Sequence, residues 1–506
     1  MERSSSMSEP ARGKDRTLLI AAAFAAFTFC YMSFWVFWLY PALINDEYAA
    51  LDFVYRTLKT GALHLPPHVS YKPYSLIFGL AAFAGGPLTY ELINAAFAAA
   101  LVLVFYLVCR QKLSQGFAAL SAVMLIFAVD LFDDVVRGTT IVPGTLCLLA
   151  AVLSAPGIEE EPGRWKKYSL FGFLGGFARP ESWLLAFPLL WWLFPRSLKL
   201  RQLARWIAGP AIIALSAVIW FGKDWFLARN VLYSLEVAQY QKMIGTGKPF
   251  TLLECFYWFH QYLSRKLSVP FEIFCYIAFC AYFWENRRRA LKDPLIILPV
   301  LLFLFLTLLT WLGSYPQMRY FTPLGVFLLI YAGWLLQKIY RFFKSRGRQW
   351  PALAAVGLIT LEYFLWSGYR TSTAEYKALK RESEVQRQVG ELADYFRPLL
   401  SDGPRQIMIS DRRDDQFGYL LRDLPMQNYF CFREGYYYEK YKGKDFLGFE
   451  PEWILWLPDD YQYRGVNDMF TWLNYQDNTE LSGRLISLQK TIGDFRIFKV
   501  TAADPP

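Results

Sequence analysis

The sequence predicts a polytopic α-helical membrane protein with a small soluble α/β domain at its C-terminal end. Hydrophobic residues make up 55% of the chain and charged residues only 19%, a composition typical of proteins with several membrane spans. Apolar runs recur along residues 17–367, whereas residues 368–506 change to a charged, mixed pattern. The chain therefore divides into a polar N-terminus at 1–16, predicted to be disordered, a membrane domain and a soluble domain.

Eleven spans are predicted in the membrane domain, from apolar runs approaching the roughly 20 residues that cross a bilayer as a helix. Arg12, Lys14 and Arg16 precede the first span and favour a cytoplasmic N-terminus. An odd number of spans then places the C-terminal domain on the outer face. The predicted spans are 17–40, 89–108, 116–129, 139–154, 168–194 as two short helices, 205–221, 268–284, 294–313, 321–340 and 351–367.

Two long connections are predicted on the outer face, a first outer loop at 41–88 and a second at 222–267. Within the first, the apolar part of residues 72–86 is too short for a comfortable span, which favours a membrane-surface or re-entrant helix. If this segment does not cross, the basic loops fall inside and the acidic loop DLFDDVVRG outside, as the positive-inside rule favours. The length of 222–267 favours a functional role.

The soluble domain is predicted from a helix pattern and four strand patterns. TAEYKALKRESEVQRQVGELADYF has the apolar spacing of an amphipathic helix. Strands are predicted at QIMIS, WILWLP, ISLQKTI and FRIFKV, with a Gly-Asp turn joining the last two.

Charge and motifs exclude several function classes. The net charge of +10 lies mainly in short loops between apolar runs, so it reports topology and not nucleic-acid binding. The chain contains no P-loop, GxSxG or HExxH motif. His64 and His68 flank two prolines and do not share a helical face, which argues against a metal site there.

Ionisable side chains gather in the predicted outer loops and at the outer helix ends. Charges at membrane depth are costly, which makes these residues functional candidates. A carboxylate base together with several cations suits the transfer of a group from a phosphate leaving group. The residues are Asp46, Glu47, Lys72, Asp133, Asp134, Arg137, Arg179, Glu181 and Arg319.

Each of these residues also has a structural alternative. These are a helix cap at Asp46 and Glu47, an i,i+4 ion-pair cluster of Asp133 and Asp134 with Arg137, mutual neutralisation of Arg179 and Glu181, snorkelling of Lys72 and an interfacial anchor at Arg319.

Short motifs between about residue 20 and residue 340 resemble, in order and spacing, those of GT-C fold glycosyltransferases. This superfamily includes protein O-mannosyltransferases, aminoarabinose lipid A transferases and oligosaccharyltransferase catalytic subunits. Asp46-Glu47 after the first span resembles the family's first outer loop, and FDDVVRGTT its second acidic loop. GFLGGFARPESWLL resembles the Gly-rich helix ending in (R/K)P, and MRYFTPL the late RYxxP motif. KPY at 72–74 resembles (H/K)PP, with Tyr74 replacing the second proline.

The resemblance implies a polyprenyl-phosphate-linked sugar donor and, usually, inversion at the anomeric carbon. It implies that Asp46 is the catalytic base with Glu47 beside it. It makes Asp133, Asp134 and Glu181 supporting acids for the acceptor or a metal, and Lys72, Arg137, Arg179 and Arg319 ligands of the donor phosphate. Metal dependence differs among family members, so a divalent metal is left open.

The resulting hypothesis is a hexosyl- or pentosyltransferase of a bacterial inner membrane with a periplasmic soluble domain. Its partners would be the lipid-linked donor and a glycan, lipid or protein acceptor, with no nucleic acid. A flippase of lipid-linked sugars is the alternative, and it predicts a repeat symmetry that the sequence lacks. A scaffold that recruits a partner would leave the charges at membrane depth unexplained.

Overall fold

The apolar part of the chain folds into helices that bury one another's side chains. The computed structural model describes residues 9–43, 45–61, 73–161, 163–195, 200–231, 251–312, 318–409, 413–424, 429–431, 451–457, 471–481 and 483–502. Its helices up to residue 370 are α1 (Glu9–Leu39), α2 (Asn45–Thr60), α3 (Pro73–Ala81), α4 (Gly86–Arg110), α5 (Gln115–Ile126), α6 (Val129–Val136), α7 (Ile141–Ser154), α8 (Arg164–Ala178), α9 (Ala186–Trp192), α10 (Leu200–Ala228), α11 (Leu252–Leu267), α12 (Val269–Asn286), α13 (Pro294–Leu312), α14 (Thr322–Lys344) and α15 (Gln349–Arg370).

Helices occupy all eleven predicted span ranges, and the chain is an integral membrane protein. Within the described ranges, six helical segments are long and apolar enough to cross a bilayer, namely those containing α1, α4, α10, α13, α14 and α15. The bent pair α11 and α12, which meet at 111°, makes a seventh if it counts as one span. Helix α14 is central, because 83% of its apolar segment is buried, compared with 22% in α1 and in α10.

The two long connections contain helices of their own. Helix α3 has nine residues and is therefore about 13 Å long, too short for a hydrocarbon core of about 30 Å. The connection predicted over 222–267 is helical at both ends, since α10 continues to Ala228 and α11 begins at Leu252. A capping box starts α11: Thr251 N donates to the Glu254 carboxylate at 2.6 Å, and Glu254 N donates to Thr251 Oγ1 at 3.3 Å. Residues 232–250 lie outside the described part of the chain.

The soluble domain begins in direct helical continuity with the membrane domain. Helix α15 passes through a π-helical turn (Thr371–Glu375) into α16 (Tyr376–Ser401), the amphipathic helix predicted from the sequence. The proposed boundary at residue 368 thus falls inside one helical segment. Helix α17 (Asp414–Leu420) follows the first strand.

A mixed sheet completes the soluble domain. The four predicted strands are observed as β1 (Arg405–Met408), β3 (Trp453–Trp456), β5 (Arg484–Ile492) and β6 (Phe495–Ala502). The sequence analysis missed β2 (Tyr429–Cys431) and β4 (Asn478–Leu481), which are short and carry little apolar alternation. The described strands are ordered β2-β1-β3-β6-β5-β4, with β1 parallel to β2 and β3. The predicted Gly-Asp turn joins β5 to β6 and uses a positive φ of 57° at Gly493.

A buried arginine joins the soluble domain to α2. Arg56 on α2 is 4% exposed and donates through Nε to both carboxylate oxygens of Asp52 at 2.9 Å. Its Nη1 donates to the Leu424 carbonyl oxygen at 2.8 Å, and its Nη2 to that of Gly418 at 3.1 Å. Gly418 lies in the last turn of α17 and Leu424 four residues beyond its end, so Arg56 binds the segment that closes this helix. Helix α2, which begins the candidate site, is thereby fixed to the soluble domain.

Candidate active site

The first turn of α2 carries Asp46 and Glu47. Glu47 is fully buried, and the Tyr90 hydroxyl on α4 donates a hydrogen bond to its Oε2 at 2.5 Å. Such a bond offsets part of the cost of burying a carboxyl group, and the positive N-terminal end of the helix favours an acid here. The backbone of Asp46 belongs to this turn, but its side chain lies outside the described part of the chain.

The acidic segment around α6 packs against the residues that precede α2. Gly138, just after α6, has a φ of 68°, and a Cβ added there would lie 2.4 Å from Leu43 Cδ1 and 3.3 Å from a ring carbon of Tyr90. Only a residue without a side chain allows this approach. The two acidic motifs of the sequence are therefore neighbours in space.

Asp134 anchors α6 to two membrane helices. It is 2% exposed and accepts hydrogen bonds from Thr139 Oγ1 and Thr322 Oγ1, each at 2.9 Å. The Asn94 amide on α4 donates to the Asp134 backbone oxygen at 3.0 Å. Helix α6 lies in the connection between two apolar helices, and burial there raises the pKa of Asp134 to about 7.

Asp133 and Arg137 form the i,i+4 ion pair that the sequence suggested as a structural alternative. Arg137 Nε donates to Asp133 Oδ1 at 2.7 Å, and both side chains are about a quarter exposed. The charges of Glu375 and Glu382, which lie beyond α15, also act on Arg137. Arg137 thus connects the acidic segment electrostatically with the start of the soluble domain.

Arg179 and Glu181 stand at the break predicted within residues 168–194. Helix α8 ends at Ala178, and a short 3-10 helix begins at Pro180, since proline removes a backbone donor. Arg179 Nη2 donates to Glu181 Oε1 at 2.7 Å and Nε donates to Oε2 at 3.2 Å, with both side chains buried. The guanidinium also lies 4.4 Å from the centre of the Tyr320 ring, so its orientation is fixed on two sides.

Gly144 on α7 makes the room for Arg179. A Cβ at this position would lie 2.6 Å from Arg179 Cγ. The charge of Asp134 acts on Arg179 as well. The acidic segment and the break after α8 therefore belong to one region, and Nη1 of Arg179 makes no hydrogen bond within the described residues.

The structure describes the side chains of six of the nine candidate residues. Five of these group around α6 and the α8 break, and Glu47 lies across Tyr90 from them. Lys72 lies outside the described residues, as do the side chains of Asp46 and Arg319. The backbone of Arg319 belongs to a short 3-10 helix, Met318–Phe321, which also contains Tyr320.

Sequence reasoning missed Lys266 and Asp130. Lys266, at the C-terminal end of α11, forms an ion pair with Asp130 at the start of α6, and their side chains are 11% and 13% exposed. The charge of Lys266 also acts on Asp134. The available signal was a basic residue four positions after the aromatic segment ECFYWFHQY, but its partner Asp130 lies far away in sequence.

Metal-binding side chains do not gather in the described residues, where no group of three His, Cys, Asp or Glu could hold an ion. The acids of α6 are engaged with threonines, Arg137 and Lys266. The described part of the chain therefore offers no group of side chains for a metal centre.

Similarity to known proteins is structural. No protein-family model matches the chain, and no curated protein matches it in sequence. The crystal structure of ArnT from Cupriavidus metallidurans bound to undecaprenyl phosphate aligns with a TM-score of 0.54 and 12% identity, over 95% of this chain and 99% of that one.

The Archaeoglobus fulgidus oligosaccharyltransferase in its apo form aligns with a TM-score of 0.50 and 12% identity. That match covers 80% of this chain but 63% of the other, so this chain spans less than two thirds of that protein's length. The same organism's AglB, in complex with an inhibitory peptide and a dolichol-phosphate, aligns with a TM-score of 0.50 and 11% identity over 97% of this chain.

This chain has the GT-C fold. The GT-C fold was implied by the short motifs and is confirmed by an alignment that runs through nearly the whole chain, soluble domain included. At 11–12% identity the alignments show the fold alone. The roles of individual residues depend on the geometry described above.

Proposed function

We propose that this protein is a membrane glycosyltransferase that moves a sugar from a polyprenyl-phosphate donor to an acceptor hydroxyl on the non-cytoplasmic face. The observation that carries the proposal is the close packing of Gly138, just after the acidic α6, against Leu43, just before the first turn of α2, with the oriented guanidinium of Arg179 in the same region as α6. The GT-C fold supports it, because structures with this fold hold undecaprenyl phosphate or dolichol-phosphate.

In the proposed reaction Asp46 is the general base. Its carboxylate takes the proton of the acceptor hydroxyl as that oxygen attacks the anomeric carbon. The bond between this carbon and the phosphate oxygen breaks, the configuration inverts, and polyprenyl phosphate leaves with the electron pair. Glu47 lies in the same turn as Asp46 and is held by a hydrogen bond from Tyr90 of α4. In this scheme it supports the position of the base.

Cations receive the phosphate in this scheme. Arg179 is oriented for this role, because Glu181 and Tyr320 fix its plane while Nη1 has no hydrogen bond to a described residue and can donate to a phosphate oxygen. Lys72, Arg137 and Arg319 complete the proposed set. A positive charge that is already in place stabilises the developing charge of the leaving group without reorganisation.

The remaining acids support the site in this proposal. Asp133 holds Arg137, Asp134 fixes α6 to α4 and α14, and Glu181 orients Arg179. The scheme uses no metal. The proposed location is a bacterial inner membrane with the soluble domain in the periplasm, where a glycan, lipid or protein presents the acceptor hydroxyl.

The direct test uses the full-length protein in proteoliposomes with a labelled polyprenyl-phosphate sugar and an envelope extract as acceptor. We expect label to move from the donor to a product that separates from the polyprenyl-phosphate sugar on chromatography. Movement of the intact labelled lipid between leaflets without any transfer would instead identify a flippase and overturn the proposal.

A further inference from the structure

A cavity lies between the membrane domain and the soluble domain. Its volume is about 480 Å³, within the range of roughly 300–1,000 Å³ that small-molecule sites occupy. The end of α1, the start of α4 and helices α16 and α17 enclose it. Among the described residues, none that is assigned above to the base or to phosphate binding lines this cavity.

Two arginines give the cavity a positive charge. Arg387 Nη2 donates to the Tyr40 carbonyl oxygen at 3.0 Å, and Arg422 Nη1 donates to that of Tyr419 at 3.0 Å. Neither arginine forms an ion pair with a described residue, and the described lining contains no carboxylate. Both cations are therefore held by backbone carbonyls and keep their charge available to a ligand.

Arg422 is also fixed by aromatic rings. Its guanidinium carbon lies 4.3 Å from the centre of the Tyr419 ring and 4.9 Å from that of Tyr55. Stacking of this kind restricts a guanidinium to one plane. A preorganised cation loses little conformational entropy when an anion binds.

The N-terminal end of α4 adds to this positive potential. Gly85 and Gly86 line the cavity, and no side chain caps the helix that begins at Gly86. A Cβ added at Gly86 would lie 3.2 Å from the Tyr419 hydroxyl, which places this helix end beside the arginine cluster. The Gly86 N–H already donates to the Ala82 carbonyl oxygen at 2.7 Å and Pro87 has no N–H, so this helix end attracts an anion through its dipole.

Aromatic and amide groups form the rest of the wall. Tyr48 donates to Gln386 Oε1 at 3.2 Å, and Gln386 Nε2 donates to the Leu43 carbonyl oxygen at 2.7 Å. Phe83 adds an apolar ring to the lining. Flat rings beside fixed polar groups suit a sugar, whose C–H faces stack while its hydroxyls form hydrogen bonds. Tyr48 stands two residues after Asp46 in α2.

We propose that this cavity binds an anionic sugar unit of the acceptor, such as a uronic acid or a phosphorylated sugar. Arg387, Arg422 and the start of α4 hold the carboxylate or phosphate, and the aromatic rings hold the sugar ring. Naming the ligand as the acceptor rests on the proposed function, whereas the binding itself needs no transfer reaction. The acceptor is thereby held beside the helix that carries the base.

The test measures binding by calorimetry to the full-length protein in nanodiscs of neutral lipid. The probes are a trisaccharide of galacturonic acid and the neutral trisaccharide maltotriose. We expect the charged probe to bind at least about tenfold more tightly, and Arg387→Gln or Arg422→Gln each to weaken it by about tenfold, as loss of a charge-assisted hydrogen bond requires. Lys377→Gln, an exposed cation on α16 outside the cavity, is the matched control and leaves binding unchanged.

Equal binding of the two probes, or Arg387→Gln and Arg422→Gln variants that bind like the control, would overturn the proposal. Arg387→Lys separates charge from folding, since a folded variant that keeps the charge retains most of the affinity. Displacement of the charged trisaccharide by undecaprenyl phosphate, in an arginine-dependent manner, would assign the cavity to a lipid phosphate and also overturn the proposal. Binding without sugar transfer in the wild-type protein would refute the proposed function and leave this inference intact.

Discussion

At the scale of single residues, Asp134 shows how an acid is retained in an apolar setting. Two threonine hydroxyls donate to its carboxylate, from the loop after α6 and from the start of α14. Burial nevertheless disfavours the charged form. The free energy of unfolding should therefore change with pH as this carboxyl titrates.

The sign of this effect follows from the raised pKa of Asp134, about 7. Unfolded aspartate titrates near pH 4, so between these values the folded state binds the extra proton. Its stabilisation is fully present below about pH 4 and is lost as the pH rises through about 7. Lys266, Asp130 and Asp133 are the charged groups that act on it.

We expect the melting temperature of the wild-type protein to fall more steeply between about pH 4 and about pH 7 than that of Asp134→Asn, because asparagine removes the titration. Thermal unfolding of the detergent-solubilised proteins measures this. Glu160→Gln, which changes an exposed acid, should follow the wild type. Parallel curves for wild type and Asp134→Asn would contradict the assigned pKa.

Sequence alone could identify the acids and cations of the site but not all of their partners. Arg137 with Asp133 and Arg179 with Glu181 were foreseeable, because their spacing along the chain brings them together. The ion pair of Lys266 with Asp130 was not, since only the packing of α11 near α6 creates it. A contact between distant residues leaves no local pattern.

At the scale of elements, the packing of α7 against α8 decides the position of Arg179. Gly144 is the contact point. Because it has no side chain, the Arg179 side chain can pack directly against the backbone of α7. Neighbouring Ser182 and Cys147 approach Gly175 of α8 as closely. The orientation of the guanidinium thus depends on small residues in two helices.

Replacing Gly144 by alanine should displace Arg179, because the new Cβ would lie 2.6 Å from Arg179 Cγ. We expect a loss of about 1–3 kcal/mol in stability, as overpacking usually costs, and reduced sugar transfer. Gly116→Ala in α5 is the control, since a Cβ there meets no atom within 4 Å. Thermal unfolding and turnover that do not distinguish the two variants would refute this role of Gly144.

Element ends were predictable where they depend on local chemistry. The spacing of Thr251 and Glu254 is that of a capping box, and Pro180 explains the end of α8. The short strands β2 and β4 were missed because their pairing partners, and not their own residues, stabilise them. Strand stability depends on cross-strand contacts that the sequence does not display.

At the scale of the whole molecule, the contacts of Arg56 (the Arg56 clamp) attach the soluble domain to α2, the helix that carries Asp46 and Glu47. The domain is fixed to α2 through Arg56 and to the membrane domain through the continuous helix from α15 to α16. The fold class followed from composition and apolar runs, whereas this attachment did not. An i,i+4 pair such as Asp52 and Arg56 would normally be assigned to a solvated helix face.

Arg56→Met should loosen the soluble domain, because it leaves Asp52 buried without its cation, a change that typically costs about 3–5 kcal/mol. We expect faster cleavage in limited proteolysis of the soluble domain and lower transfer activity. Lys59→Met, on an exposed position of α2, controls for the loss of charge. Equal proteolysis of the two variants would show that the clamp does not hold the domain.

The central claim concerns the first turn of α2, and turnover of a labelled polyprenyl-phosphate sugar by Asp46→Asn tests it most directly. We expect transfer to fall by about 10²-fold or more, the usual contribution of a general base, while crosslinking to a photoreactive polyprenyl phosphate stays at the wild-type level. Glu160→Gln, an acid-to-amide change far from the site in sequence, should retain activity. Full transfer by folded Asp46→Asn protein would contradict the account.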